Sequence, residues 1–110
     1  WGNDALDCDH AWSVECAPNG TVTIAGKPDS ASPFGIENTL GNVAEWVTDW
    51  YEPSYYAVSP GTDPMGPQTG TLKVVRGGSW KNDASFMRIS KRQSADPTSY
   101  SSQIGFRCAR

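Results

Sequence analysis

Two short runs, Gly41-Asn42-Val43-Ala44-Glu45-Trp46 and Arg76-Gly77-Gly78-Ser79-Trp80, each crowd glycine, tryptophan and a charged side chain together. Glycine gives up much backbone freedom on folding, and a buried charge must be paired or hydrogen-bonded. Such runs belong where the backbone turns sharply beside indoles, with arginine or carboxylate groups satisfying the nearby amides and carbonyls. Asp49 and Trp50 follow the first run; Arg88, Arg92 and Gly105-Phe106-Arg107-Cys108 follow the second. The 11 glycines and 8 prolines point the same way, to a loop-rich fold with little regular structure.

The chain has 110 residues, the length of one domain with a moderate core, and residues 1–110 are read as a single unit. A hydrophobic content of 37% is low, and 5 tryptophans compensate because each buries a large area. A net charge of −3 argues against nucleic acid, whose phosphates call for a basic stripe. No apolar run approaches the roughly 18 residues of a membrane span.

Asn19-Gly20 before an alternating run predicts a turn and a short strand at Thr21–Ile24. Val43–Trp50 alternates as a strand, with Trp46, Thr48 and Trp50 on one face and Glu45, Val47 and Asp49 on the other. Residues 51–70 read as a long loop and Leu72–Arg76 as a strand ending at Gly77-Gly78. Asn82-Asp83 is placed to cap a short helical turn through Met87, and Arg88–Gln93 and Ile104–Cys108 read as two further strands.

Cys8 and Cys16 are close enough in sequence for a local disulfide, the alternative being two free thiols. A zinc site is excluded by their spacing and by the single histidine, His10. Cys108 is left over. An oxidising, extracytoplasmic compartment, periplasmic or secreted, is the expectation.

Taken together, Phe34-Gly35-Ile36, Gly41 to Trp46, Arg76 to Trp80, Arg88 with Arg92, and Gly105 to Arg107 resemble the boxes of the formylglycine-generating enzyme, or sulfatase-modifying factor, family. The opening Trp1-Gly2-Asn3 is similar to the residues that precede this region in many members. The resemblance implies a loop-rich α+β fold of the C-type-lectin-like kind with a small antiparallel sheet. It also implies that the chain is the C-terminal portion of a larger domain, so that the missing N-terminal half, a second chain or self-association would cover Trp46, Trp50 and Trp80. In the family, a cysteine in the position of Cys108 can bridge to one earlier in the domain, which this chain lacks.

Family members convert a sulfatase cysteine to formylglycine with copper held by two cysteines after the Arg-Gly-Gly-Ser run. The matching positions here are Asn82 and Met87. A thiolate pair binds soft Cu(I); an amide cannot, and one thioether alone is too weak. No catalytic residue is therefore assigned, and copper is not expected. A family calcium site is better kept. The resemblance assigns it to the Asn38 side chain, the Gly41 and Val43 carbonyls and the Glu45 carboxylate, a hard oxygen set within one short loop. The alternative is that Asn38 makes a local turn and Glu45 pairs with an arginine. A second family calcium site, near Ala11-Trp12, lacks its asparagine.

Arg76, Arg88, Arg92 and Arg107 either form an anion site or lace loops through backbone carbonyls. Tyr55, Tyr56, Trp80 and Arg88 are candidate ligand-surface residues for a protein or glycan, with loop anchoring and core packing as the competing roles. The expected function is a non-catalytic, calcium-stabilised binding or structural module. The alternative is an oxidoreductase of the same family acting through non-standard residues or through a missing N-terminal half.

Overall fold

The computed structural model describes residues 5–16, 19–24 and 30–108. Trp1-Gly2-Asn3 lies outside the described residues. The regular elements, in chain order, are β1 (Ala44–Trp50), α1 (Tyr55–Val58), β2 (Lys73–Arg76), a 3-10 turn (Ala84–Phe86), β3 (Gln93–Ala95) and β4 (Ile104–Gly105). The four strands form one sheet in the order β3-β2-β1-β4.

The centre of the sheet is made where the sequence is most strand-like. In β2 the paired β-branched residues Val74 and Val75 are buried, as is Ala44 at the start of β1. Leu40, Ala11 and Met87 close this small core, and Ser13, Ser30, Asn42 and Ser79 are buried with them. Glu45 pairs with Arg76 and Trp46 with Val75, but the next matched pair is Trp50 with Lys73. Four steps along β1 thus span two along β2. The excess is even, so Trp46 and Trp50 keep their common parity across the irregularity.

β1–β2 and β2–β3 are antiparallel, but β4 runs parallel to β1, so the expected antiparallel sheet is mixed. β4 is also shorter than the expected Ile104–Cys108 strand, because Arg107 turns away to bond Glu45 and the Glu37 and Asn38 carbonyls. The expected Arg88–Gln93 strand begins only at Gln93. Before it, Lys91 N–H closes a turn on Arg88 O, and Arg76 Nη1 takes Ile89 O.

Thr21–Ile24 is not a strand. The partner Val22 would have found in a ladder is a side chain: Val22 N–H donates to Asn42 Oδ1 at 3.0 Å and Val22 O accepts from Asn42 Nδ2 at 3.2 Å. The turn at Asp83 forms as expected, with its carboxylate accepting from Ser85 N–H at 2.8 Å. Trp46, Trp50 and Trp80 are half-buried rather than laid bare; Lys73 Nζ lies 3.8 Å from the Trp50 ring centre, and Trp80 Nε1 reaches Ser102 O. The strongly exposed apolar residues are others, among them Ile24, Phe34, Ile89 and Phe106. No helix is long and apolar enough to cross a membrane among the described residues.

Candidate functional site

Of the four residues that the resemblance assigns to calcium, Asn38, Gly41 and Val43 lie in the loop leading into β1, and Glu45 is the second residue of that strand. At Gly41 the chain passes so close to Trp12 that a Cβ would stand 2.5 Å from Trp12 O, at a φ of +79°. Only glycine fits there, and its N–H donates to Gly77 O at 2.8 Å. Asn42 follows, also left-handed at φ 62°. Its backbone N–H goes to Trp12 O and its carbonyl accepts from Trp80 N–H, each at 2.9 Å, while its side chain holds Val22. One asparagine therefore joins three segments. Reading the sequence alone missed it; the signal was an asparagine after glycine in a loop, the residue type that best tolerates the left-handed region.

Asn38, at φ 53°, donates from Nδ2 to Ile24 O at 2.7 Å and from its backbone N–H to Ser30 Oγ at 3.2 Å. Glu45 faces Arg107 across the parallel β1–β4 pair. Arg107 donates from Nε to Oε2 at 2.6 Å and from Nη2 to Oε1 at 2.5 Å. The same guanidinium reaches Glu37 O and Asn38 O, each at 3.1 Å. The carboxylate holds the Arg107 proton more tightly, raising its pKa against the cost of partial burial. Asn38, Gly41, Val43, Glu45 and Arg107 all line one concavity of about 480 Å³, with Ile24, Ile36 and Phe106 among its apolar walls.

The donors in this concavity suit a hard cation. Of the carboxylate and amide residues that line it, Glu37, Glu45, Asn38 and Asn42, the resemblance assigns Glu45 and Asn38 to the ion together with backbone carbonyls, and water could complete a shell of six to eight oxygens. A cation is already there in the form of Arg107, which takes both Glu45 oxygens and the Asn38 carbonyl. An ion would compete with this fork. Among the described residues no three His, Cys, Asp or Glu side chains gather as a metal group, so a metal here would need amide and carbonyl oxygens beside the Glu45 carboxylate.

The turn after β2 is the second place of interest. Ser79 is 1% exposed. Its backbone N–H donates to Asn82 Oδ1 at 2.9 Å, and its hydroxyl lies 3.0 Å from the same oxygen and 3.2 Å from Gln103 Oε1. Asn82 O accepts from Val14 N–H at 3.0 Å. Met87 is buried, with its sulfur 2.8 Å from where a Gly78 Cβ would stand. The two positions that the resemblance aligns with the family's copper cysteines thus do structural work here: Asn82 closes the turn and Met87 fills the core beneath it. A small polar cavity of about 140 Å³ opens beside them, lined in part by Ser79, Asn82, Gln93 and Gln103.

The candidate ligand-surface residues go to different places. Tyr55 Oη accepts from Gly66 N–H at 3.1 Å, which anchors the long loop. Tyr56 Oη accepts from Arg76 Nη2 at 2.7 Å. Trp80 donates from Nε1 to Ser102 O at 3.4 Å, on the loop before β4. Arg88 is exposed and donates from Nε to Ser85 O at 3.3 Å. Arg92 bonds Glu52 O and Pro53 O. Each arginine of the set laces a loop through carbonyls. Cys8 and Cys16 form a disulfide, and Cys108 is an exposed free thiol.

A family model for the sulfatase-modifying factor enzyme 1-like domain matches residues 5–110. The chain belongs to this family. Among its curated relatives is a formylglycine-generating enzyme of Streptomyces coelicolor, 50% identical over 100 residues, covering 87% of this chain and 32% of that protein. Another, from Mus musculus, is named inactive C-alpha-formylglycine-generating enzyme 2 and is 32% identical over 91% of this chain and 36% of its own length. The chain thus spans about a third of these sulfatase-modifying-factor relatives. Among solved structures, PvdO from Pseudomonas aeruginosa superposes with a TM-score of 0.77 at 26% identity, covering 96% of this chain and 40% of that one. The loop-rich α+β fold of this family is therefore the fold of the chain.

Proposed function

We propose that this sulfatase-modifying-factor chain is a non-catalytic binding or structural module whose Glu45 loop is stabilised by calcium. The observation that carries the non-catalytic part is the use of Asn82 and Met87. Asn82 takes two hydrogen bonds from Ser79 through one amide oxygen, and Met87 is packed against Gly78. Neither supplies a thiolate, and Cys108, the one free thiol described, lies exposed beyond β4. That the family includes a member named inactive is consistent with such a loss. Calcium, if bound, would be held by the Asn38 side chain, the Gly41 and Val43 carbonyls and Glu45, and would supply charge and loop order rather than chemistry. The Cys8–Cys16 disulfide supports an extracytoplasmic setting.

The 50% identity to a formylglycine-generating enzyme favours a second reading, an oxidoreductase acting through other residues or with a separate N-terminal half. Competition for Cu(I) against a chromogenic chelator separates the two. The module reading expects no stoichiometric tight complex. Tight one-to-one Cu(I) binding, with oxidation of a cysteine-containing peptide, would overturn it.

A further inference from the structure

The chain carries 12 acidic residues against 9 lysines and arginines, yet Arg76 and Arg92 meet at one tyrosine beside the turn that bears Arg88 and Lys91, whose Nζ lies 5.0 Å from the Phe86 ring centre. Arg76 and Arg92 converge on Tyr56: Arg76 Nη2 donates to Tyr56 Oη at 2.7 Å, and the Arg92 guanidinium lies 4.0 Å from the Tyr56 ring centre. Arg76 Nη1 also bonds Ile89 O at 2.8 Å, which brings the Arg88–Lys91 turn to the same place. The ion pairs among the described residues are Asp7 with His10 and Glu45 with Arg107. Arg76, Arg88, Lys91 and Arg92 are therefore without a carboxylate partner among those residues, on a chain that has carboxylates in excess.

We propose that Arg76, Arg88, Lys91 and Arg92, with Tyr56 and Ile89, form a docking surface for an acidic polypeptide segment. Carbonyl bonds hold Arg76 and Arg92 in place, so little side-chain entropy is lost when a carboxylate approaches. Arg88 stands exposed on the turn beside them, with only its Nε engaged. Ile89 is 79% exposed between the charges, which suits a partner with apolar as well as acidic side chains. A sugar would need an open aromatic face, but Arg92 already lies over one face of Tyr56. β3 leaves directly from Arg92 as an outer strand of the sheet formed by the described residues, and a peptide backbone can match the hydrogen-bonding edge of such a strand. The patch is opposite in sign to the rest of the chain, so a segment attracted to it is steered there and repelled elsewhere. The inference goes beyond the module reading and stands whether or not the Glu45 loop holds an ion.

The test uses the 110-residue chain in EDTA, so that calcium cannot bridge carboxylates. The probe is a fluorescent peptide of about twelve residues alternating glutamate and valine, followed by anisotropy; a lysine–valine peptide and a sulfated hexasaccharide serve as the other arms. The acidic peptide is expected to bind, and to weaken at least about tenfold from about 50 mM to about 300 mM salt. Arg88→Glu with Lys91→Glu should weaken it by at least about tenfold, the equivalent of ~1.4 kcal/mol. Arg88→Ala alone, which removes one exposed cation, should weaken it about threefold and keeps the test valid if the double variant unfolds. No binding, equal binding of the lysine peptide, or indifference to both variants overturns the proposal. Tighter capture of the sulfated sugar than of the peptide, or self-association that depends on Arg88 and Lys91, also overturns it.

Discussion

If calcium and Arg107 compete for Glu45, removing the arginine should strengthen calcium binding while weakening the metal-free protein. The pair is only partly sheltered, with side chains 39% exposed for Arg107 and 24% for Glu45. Such a bidentate pair contributes about 0.5–1 kcal/mol. The two carbonyl bonds of Arg107 to Glu37 and Asn38 add about as much again. In EDTA, Arg107→Gln should therefore cost about 1–2 kcal/mol. In calcium the freed carboxylate no longer has to leave a guanidinium, and affinity should improve about tenfold, or ~1.4 kcal/mol. An ion present at about 100 times its Kd stabilises by ~2.7 kcal/mol, and at about 1,000 times by ~4.1 kcal/mol. At about 4 °C per kcal/mol for a domain of this size, the calcium-induced rise in Tm is about 11 °C in the parent and about 6 °C more in Arg107→Gln. Glu45→Gln should remove most of the rise. Differential scanning fluorimetry in matched EDTA and calcium buffers measures all three. An unchanged calcium increment in Arg107→Gln would refute the competition for Glu45, and the absence of any increment in the parent and the variant alike would leave the guanidinium as the loop's own cation and refute the calcium reading.

Other consequences follow from the same loops. Gly41→Ala would drive a Cβ into the Trp12 backbone at a left-handed φ, where no flexible side chain can yield; a loss of about 3 kcal/mol in urea unfolding is expected, and a loss under about 1 kcal/mol would refute the close approach. Cys8→Ser with Cys16→Ser opens a cross-link spanning 8 residues of sequence, and chain entropy sets the expected destabilisation at about 2.5 kcal/mol. Asp83 and Asp96 are held below the ordinary carboxyl value by the side-chain and backbone hydrogen bonds of Ser85 and Thr98. Their stabilisation is present above the unfolded carboxyl pKa and is lost as pH falls through the lower folded values, so Tm should drop from about pH 4 downward. Asp83→Asn and Asp96→Asn should flatten that acid limb, and an unchanged limb would show that other groups cause it.

How far the fold could be read in advance depended on what holds each segment. The β1 and β2 strands were legible because alternation and β-branching act locally, and their bounds moved by a residue at most. The capped turn at Asp83 was legible for the same reason, since the capping contact is made two residues away. Segments held from a distance were not. Val22 is held by a side-chain amide twenty positions on, and Arg107 leaves the sheet for carbonyls sixty-nine and seventy positions back. Nothing in the local pattern of Thr21–Ile24 or Ile104–Cys108 records those partners. The parallel pairing of β4 was hidden likewise, because a two-residue strand carries no periodicity from which direction could be read.

The candidate site divides along the same line. The residues that the resemblance assigns to calcium are close in sequence, and the structure places them along one concavity; what local sequence did not show was which arginine would enter it. At the other site, the residue types at Asn82 and Met87 already spoke against copper, but their new roles needed the fold. An amide at Asn82 can accept from both the backbone and the hydroxyl of Ser79, which a thiol does weakly. A thioether at Met87 fills space under Gly78 that a cysteine would leave partly empty. Both residues are therefore tied to the glycine turn itself. Thiols there would cost the turn its amide cap and open a void beneath it, so the module reading expects Asn82→Cys with Met87→Cys to be less stable than the parent before any metal is added.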